Sequence, residues 1–345
     1  MTKQIMVGGV PVGGGAPVTI QSMTNTPTHD VAATVEQIKK LQIAGCQIVR
    51  AAVPDMAAAK AIGAIREQIS IPLVVDIHFD YSLALEAIEA GADKVRINPG
   101  NIGDESRVKA VADACRRRNI PIRIGVNGGS LEKPLLAKYG GVTPEAMVES
   151  AFGHIALLNR FDFDNICVSL KSSSVPVTMA AYQLMSERSN YPLHLGVTEA
   201  GTPKMGILKS AVGIGGLLAL GIGDTMRVTL TADPVEEIYA ARDILKAAGL
   251  RREGPELIAC PTCGRTKIDL IALANQVERR LADVHKPITV AVMGCAVNGP
   301  GEASAADVGI AGGDGVGILF RKGKLVRKVA QENLVDELFA LIDTL

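Results

Sequence analysis

The sequence predicts an α/β chain, a (β/α)8 TIM barrel followed by a smaller α+β domain. Three observations carry this. From Val18 to about Ala248, eight short β-branched runs alternate with helix-like segments. Strands alternating with helices pair in parallel, because each crossover consumes a helix. Eight such units in roughly 230 residues suit a closed barrel, usually about 250 residues long, better than its competitor, a doubly wound open sheet. Beyond Gly249 the alternation stops and a different pattern begins.

In order, the strand-like runs are "VTIQSM" (18–23), "QIVRAAV" (47–53), "LVVDI" (73–77), "KVRIN" (94–98), "IRIGV" (122–126), "NICVSL" (165–170), "LHLGV" (193–197) and "TMRVTL" (225–230). Between or after them lie "VAATVEQIKKLQIAG", "YSLALEAIEAGA", "ESRVKAVADACRRRN" and "DPVEEIYAARDILKAAG". Several start on Asp, Ser or Thr and stop at Gly or Asn, as capping chemistry predicts. The run "PVGGGAP" (11–17) is read as a hairpin or turn, since no helix with Lys and Ser/Thr follows to make it a phosphate loop. Residues 1–248 thus form the barrel, and the charged Gly/Pro stretch 249–256 is the linker. Residues 257–345 hold a cysteine pair, a helix "KIDLIALANQVERRLAD" (267–283) and a strand "PITVAVM" (287–293). Two glycine-punctuated strands ("DVGIAG", "GVGILF"), "GKLVRKV" and a final helix from about Gln331 follow.

Composition narrows the function. The chain has 345 residues, 48% of them apolar, enough for a large core, but only 3% are aromatic and Trp is absent. Its 36 basic and 36 acidic residues balance, so no global field draws nucleic acid or an anionic membrane. The longest uncharged apolar run, Ser210 to Gly223, is too short to span a bilayer. "MTKQIMVGGV" lacks the apolar core of a signal peptide. Six irregularly spaced cysteines then point to a cytoplasmic chain that uses thiols for metal or catalysis.

Barrels of this type do their chemistry at the C-terminal ends of the strands. Those positions read Arg50, Asp76, His78, Arg96, Asn98, Arg123, Asn127, Ser169, Lys171, Glu199, Arg227 and Thr229. Five cations face two carboxylates, Asp76 and Glu199, a positive surplus in a chain that is neutral overall. Rim salt bridges would account for any single Arg, but five of eight strands ending in a cation point to a multiply charged anion. Arg suits phosphate oxygens, which its planar fork meets bidentately, and a diphosphate is the expected ligand.

The second domain poses a separate problem. "CPTCGR" supplies Cys260 and Cys263, and "VMGCAVNGPGEA" supplies Cys295, with Glu302 beyond its Gly-Pro-Gly. Cys46, Cys115 and Cys167 read as small core residues. Three thiols suit a 4Fe-4S cluster whose fourth iron takes a weaker ligand, and Glu302 is the oxygen donor best placed in sequence. A zinc site and plain structural cysteines remain open on spacing alone.

These motifs, with "PVTIQSMTNTPTHD", "VDIHFD", "VRINPGN" and "LGVTEAG", resemble the 4-hydroxy-3-methylbut-2-enyl diphosphate synthase (IspG/GcpE) family over essentially the whole chain, in its two-domain bacterial form. The resemblance implies a 4Fe-4S cluster on Cys260, Cys263, Cys295 and Glu302 in a sulfite-reductase-like domain, beside a barrel similar to dihydropteroate synthase. It implies reductive ring opening and dehydration of 2-C-methyl-D-erythritol 2,4-cyclodiphosphate in non-mevalonate isoprenoid synthesis. The diphosphate would lie on Arg50, Arg96, Arg123, Lys171 and Arg227, helped by His78, Asn98, Asn127, Ser169 and Thr229. Flavodoxin or ferredoxin would supply single electrons. Glu302 would yield its place to the substrate, Glu199 would protonate the departing oxygen and Asp76 would orient its neighbours.

Assembly follows from the connection. The last barrel helix runs antiparallel to the strands, so the chain leaves the barrel opposite the anion site, and about 11 linking residues reach at most roughly 40 Å. A homodimer in which each cluster domain caps the partner's barrel is expected. The competing reading is a phosphate-binding lyase or aldolase barrel with a structural zinc tail, Lys171 serving as a Schiff-base amine.

Overall fold

A computed structural model describes residues 1–295, 301, 303–313 and 315–345. The chain divides into two compact units, Met1–Arg251 and Arg252–Leu345. Among the described residues no helix is long and apolar enough to cross a membrane.

The first unit opens with a hairpin of β1 (Ile5–Val7) and β2 (Val10–Val12). Gly8 and Gly9 turn it at φ +51° and +91°, the left-handed values that a tight two-residue turn requires. The hairpin therefore precedes the glycine run 13–15 instead of being built from it. Eight parallel strands follow: β3 (Thr19–Met23), β4 (Ile48–Ala52), β5 (Leu73–Asp76), β6 (Lys94–Ile97), β7 (Ile122–Asn127), β8 (Ile166–Lys171), β9 (His194–Leu195) and β10 (Thr225–Met226). Each of β3 to β7 pairs with the next, β9 pairs with β10 and β10 with β3. A bridge between Val168 and Leu193 brings the strands of β8 and β9 together and closes the ring. The barrel expected from the sequence is present, with β9 and β10 reduced to two residues each.

Alternation along the strands sorts the residues. Val49, Ala51, Leu73, Val75, Val95, Ile97, Ile122, Ile124, Val168 and Leu170 point outward into the layer of helices, where they join one large aliphatic core. The helices start where short polar side chains accept orphan backbone donors: Asp30, Asp55, Asp80, Asp104, Thr143, Ser174 and Asp233 each cap one. Gly45 and Asn119 end two of them in left-handed geometry. The other strand parity points into the barrel. At the N-terminal end, Ile48, Val74 and Cys167 meet Ile5, Val7 and Val12 of the hairpin, which plugs the floor.

The second unit is a five-stranded sheet in the order β11 (Glu256–Ala259), β12 (Thr289–Met293), β13 (Val308–Ala311), β14 (Val316–Arg321), β15 (Lys324–Ala330). The first three strands are parallel and the last two antiparallel. Helices Leu270–Leu281 and Leu334–Asp343 cover one face through Leu273, Val277, Leu338 and Ile342 against Val290, Val292, Val308 and Ile310. The other face carries Ala291, Met293, Ala303, Ala306, Ala311 and Phe320. β11 escaped the sequence reading. It begins at Glu256, inside the stretch read as linker, and its residues are mostly exposed, so no alternation of apolar side chains marks it.

Candidate functional site

The inward parity of the barrel strands brings nearly all the expected polar residues to one mouth. Arg50 lies in β4, Asp76 ends β5, Arg96 lies in β6, Arg123 in β7, and Ser169 and Lys171 in β8. Every one of these side chains is buried. Asp76 is the hub. Its carboxylate accepts from Arg96 Nη1 at 2.9 Å and stands 3.6 Å from Arg50 Nε. Arg96 Nη1 also meets His78 Nε2 at 2.9 Å, and His78 lies 3.5 Å from the carboxylate with half its side chain exposed. Burial raises the Asp76 carboxyl, but Arg50, the His78 hydrogen bond, Arg96 and Arg123 outweigh it and hold it well below the usual carboxylate range.

Other donors are left partly free. Arg123 gives Nη1 to Ser169 Oγ at 2.9 Å, while its Nε and Nη2 and the Nε of Arg96 have no partner among the described residues. Arg50 turns Nε and Nη2 to the thioether of Met23 at 3.1 and 2.9 Å, a weak acceptor for a charged donor. Lys171 is buried, and its amine has no hydrogen bond or ion pair among the described residues. Burial, then the guanidinium groups of Arg123, Arg50, Arg227 and Arg96, push that amine well below the ordinary lysine value. Burial and Arg96 similarly lower Arg123 to about 10. Crowded, desolvated cations with spare N–H groups form a site built for an anion.

Two glycines make room for these heads. A Cβ on Gly125 would stand 2.6 Å from Arg96 Nε, and one on Gly196 would stand 2.4 Å from Lys171 Nζ. Glycine is the residue that lets the cations fold inward here.

Arg227 departs from the expected ring. Its Nε and Nη2 donate to the two oxygens of Glu237 at 3.1 and 3.2 Å. Ser22 Oγ and the Leu230 backbone N–H donate to the same carboxylate. A third, buried carboxylate thus offsets this cation, and the positive surplus is smaller than the strand ends alone suggest. Asn98 accepts from the Gly100 N–H at 3.1 Å and fixes the turn after β6. Asn127 and Thr229 are half-buried, and Glu199 is exposed in the loop after β9 with a left-handed φ of +52° and no partner among the described residues.

Several residues inside the barrel were not singled out from the sequence. Lys94 is fully buried beneath Arg96 on the same strand parity, and its Nζ has no partner among the described residues. Burial brings its amine down to about 8. The side chains of Gln21 and Thr19 of β3 and Nε2 of His194 of β9 are also buried without partners among the described residues. Position supplies the missing signal: Lys94 stands two residues before Arg96 and His194 two before Gly196. Glu237 would have shown in its spacing from Pro234 and Ala241, on the buried face of its helix.

In the second unit, Cys260 follows β11 directly and Cys295 lies two residues past β12, the adjacent parallel strand. The Cys260 N–H donates to the Val292 carbonyl at 3.0 Å, and Thr266 ties the Cys263 loop through both its N–H and its hydroxyl. Three thiols thus stand on neighbouring loops at one end of a sheet, and Cys260 packs against the face that carries Ala291, Met293 and Phe320. All six cysteines are free, with Cys263 exposed and its thiol lowered first by the Arg265 backbone N–H. Among the described residues no three ligating side chains converge closely enough to hold one metal ion. A four-iron cube asks for less convergence, because each thiolate holds a different iron. Glu302 lies outside the described residues. Cys46, Cys115 and Cys167 are buried core residues, and burial pushes the Cys46 thiol up to about 12.

Comparison with known proteins covers both units. A family model described as the GcpE TIM-barrel domain matches residues 2–242, and one described as the GcpE protein C-terminal domain matches residues 256–344. A curated protein of Caldanaerobacter subterraneus subsp. tengcongensis named 4-hydroxy-3-methylbut-2-en-1-yl diphosphate synthase (flavodoxin) is 59% identical over 343 residues, covering 99% of this chain and 97% of its own. One of the same name from Clostridium perfringens is 60% identical over 344 residues, covering 100% and 99%. Among solved structures, dihydropteroate synthases of Yersinia pestis and Stenotrophomonas maltophilia superpose with TM-scores of 0.51 and 0.52 at 13% and 16% identity. They cover 73% and 71% of this chain and 100% and 97% of their own, a likeness of fold.

Proposed function

We propose, on the premise that this chain belongs to the GcpE family and is a 4-hydroxy-3-methylbut-2-enyl diphosphate synthase, that its barrel mouth grips the diphosphate of its substrate and its second unit holds a 4Fe-4S cluster. The reaction is the reductive ring opening and dehydration of 2-C-methyl-D-erythritol 2,4-cyclodiphosphate. The lyase or aldolase reading with a zinc tail is set aside by the match across the whole chain.

The observation that carries the site is the cluster of Arg50, Arg96, Arg123 and Lys171 at one mouth, only the first two of them paired with the Asp76 carboxylate, with N–H groups still unpaired. Arg96 and Arg123 donate to phosphate oxygens, Lys171 reaches in past Gly196, and Asp76 keeps Arg50, Arg96 and His78 aligned. Asn98, Asn127, Ser169 and Thr229 complete the polar rim, and Arg227 contributes from its Glu237 clamp. Holding the diphosphate fixes the carbon–oxygen bond to be broken, so binding energy from a remote group is used at the reacting one.

Cys260, Cys263 and Cys295 hold the cluster, with Glu302 as the exchangeable fourth ligand. Bound there, it supplies single electrons and a Lewis-acidic iron. Glu199, exposed beside the mouth, delivers the proton to the departing oxygen. Flavodoxin, named for the relatives, is the electron donor, with ferredoxin the other candidate. The chain works in the cytoplasm as a homodimer, each cluster domain capping the partner's barrel.

Anaerobically purified protein tests this. It should be brown, carry about four iron and four acid-labile sulfide per chain, and turn over the cyclic diphosphate with reduced flavodoxin. Colourless, zinc-loaded protein with full turnover would overturn the cluster assignment.

A further inference from the structure

Lys171 differs from the other cations of the mouth. Arg227 is held by Glu237, Arg50 and Arg96 share Asp76, and Arg123 donates to Ser169. Lys171 as a residue is only 7% exposed, its amine has no acceptor among the described residues, and it presses against the space left by Gly196.

The groups around it are mostly positive or neutral. β4 presents Arg50, β6 presents Lys94 and Arg96, β7 presents Arg123 and Asn127, β9 presents His194, and the strand of β10 presents Arg227. The opposing carboxylates are Asp76 of β5, shared by two guanidinium groups with His78 beside it, Glu237, occupied by Arg227, and Glu199 on an exposed loop. A buried ammonium with neither acceptor nor counter-ion is relieved most cheaply by losing its proton. An arriving anion reverses the balance, because its oxygens bring acceptors and negative charge at once.

We propose that the substrate enters the mouth together with one proton from solvent, which Lys171 takes up, so that binding charges the amine that then grips the ligand. This rests on the reading that the mouth holds a diphosphate. The step is simple in its balance: the neutral amine and a buffer proton give the ammonium, and no bond of the ligand changes. The ligand cannot supply the effect itself. Each phosphorus of a cyclic diphosphate carries one ester bond, one anhydride bond and a single strongly acidic hydroxyl, already ionised near neutrality.

The test is calorimetric titration of the holoenzyme, without reductant, with 2-C-methyl-D-erythritol 2,4-cyclodiphosphate at pH 8 in buffers of different ionisation enthalpy. The observed heat should vary with the buffer and report uptake on the order of one proton. Lys171→Arg keeps the charge but cannot lose it, and should retain binding while uptake falls by more than half. Lys171→Met should bind at least tenfold more weakly, again with little uptake, and His78→Gln should keep the uptake. Binding without uptake, uptake unchanged in Lys171→Arg, or uptake lost in His78→Gln would overturn the proposal. Absence of saturable binding would overturn the diphosphate reading and this proposal with it.

Discussion

Arg227 and Glu237 lie fork to fork, two guanidinium N–H groups on two carboxylate oxygens, with side-chain exposures of 13% and 3%. The pair joins the strand of β10 to the helix Pro234–Ala247 that follows it, and the same carboxylate also receives Ser22 and the Leu230 N–H. Removing one partner of a buried pair costs about 3–5 kcal/mol, because the other is left uncompensated. Glu237→Gln should therefore lower the thermal midpoint by about 10 °C and raise KM, as the freed Arg227 shifts the mouth. An unchanged midpoint in calorimetry would show the clamp to be dispensable.

Gly196→Ala places a methyl 2.4 Å from Lys171 Nζ and 3.1 Å from the Arg227 carbonyl. The amine is the softer neighbour and should move. Steady-state kinetics should show KM raised about tenfold, equivalent to about 1.4 kcal/mol, with kcat less affected. Gly129→Ala, with nothing near its added Cβ, is the matched control and should behave as wild type. Equal effects of the two substitutions would remove the steric argument.

Lys94 gives the ligand-free protein a pH dependence. Its folded value is about 8, below the ordinary 10.5. Between those values the unfolded chain binds the proton and the folded chain does not, so stability rises with pH, by up to about 1.4 kcal/mol per unit. Below about 8 both states are protonated and the full penalty stands. Urea unfolding at pH 7 and 9.5 should show this gain, and Lys94→Met should reduce it. Asp76 acts at the other end. Its depressed carboxyl stabilises the fold above the usual carboxylate range, and that contribution is lost as pH falls through its folded value.

Glu199 is exposed and has no partner among the described residues, so Glu199→Gln should leave the unfolding midpoint and KM nearly unchanged. Turnover should fall by about 10²–10⁴-fold if it supplies the proton. Undiminished turnover would reject that role.

Much of this was legible in the sequence because barrel strands have a period of two and a polarity. Reading the strand ends finds Arg50, Asp76, Arg96, Arg123 and Lys171 together, and the structure buries all five at one mouth. What the sequence hides are partnerships made across the fold. Glu237 sits within an ordinary amphipathic helix, and its meeting with Arg227 depends on how that helix packs. Gly125 and Gly196 resemble any strand glycine until the neighbouring cations are placed. β11 was missed because its residues are mostly exposed and carry no hydrophobic alternation.

The hairpin Ile5–Val12, wedged among Ile48, Val74 and Cys167, makes the barrel a cul-de-sac. Traffic of water, ions and protons to Lys94, His194 and Gln21 must then pass the mouth, so an occupant lodged there is also the stopper. Whatever protonation Lys94 and His194 carry when it arrives, they keep until it leaves.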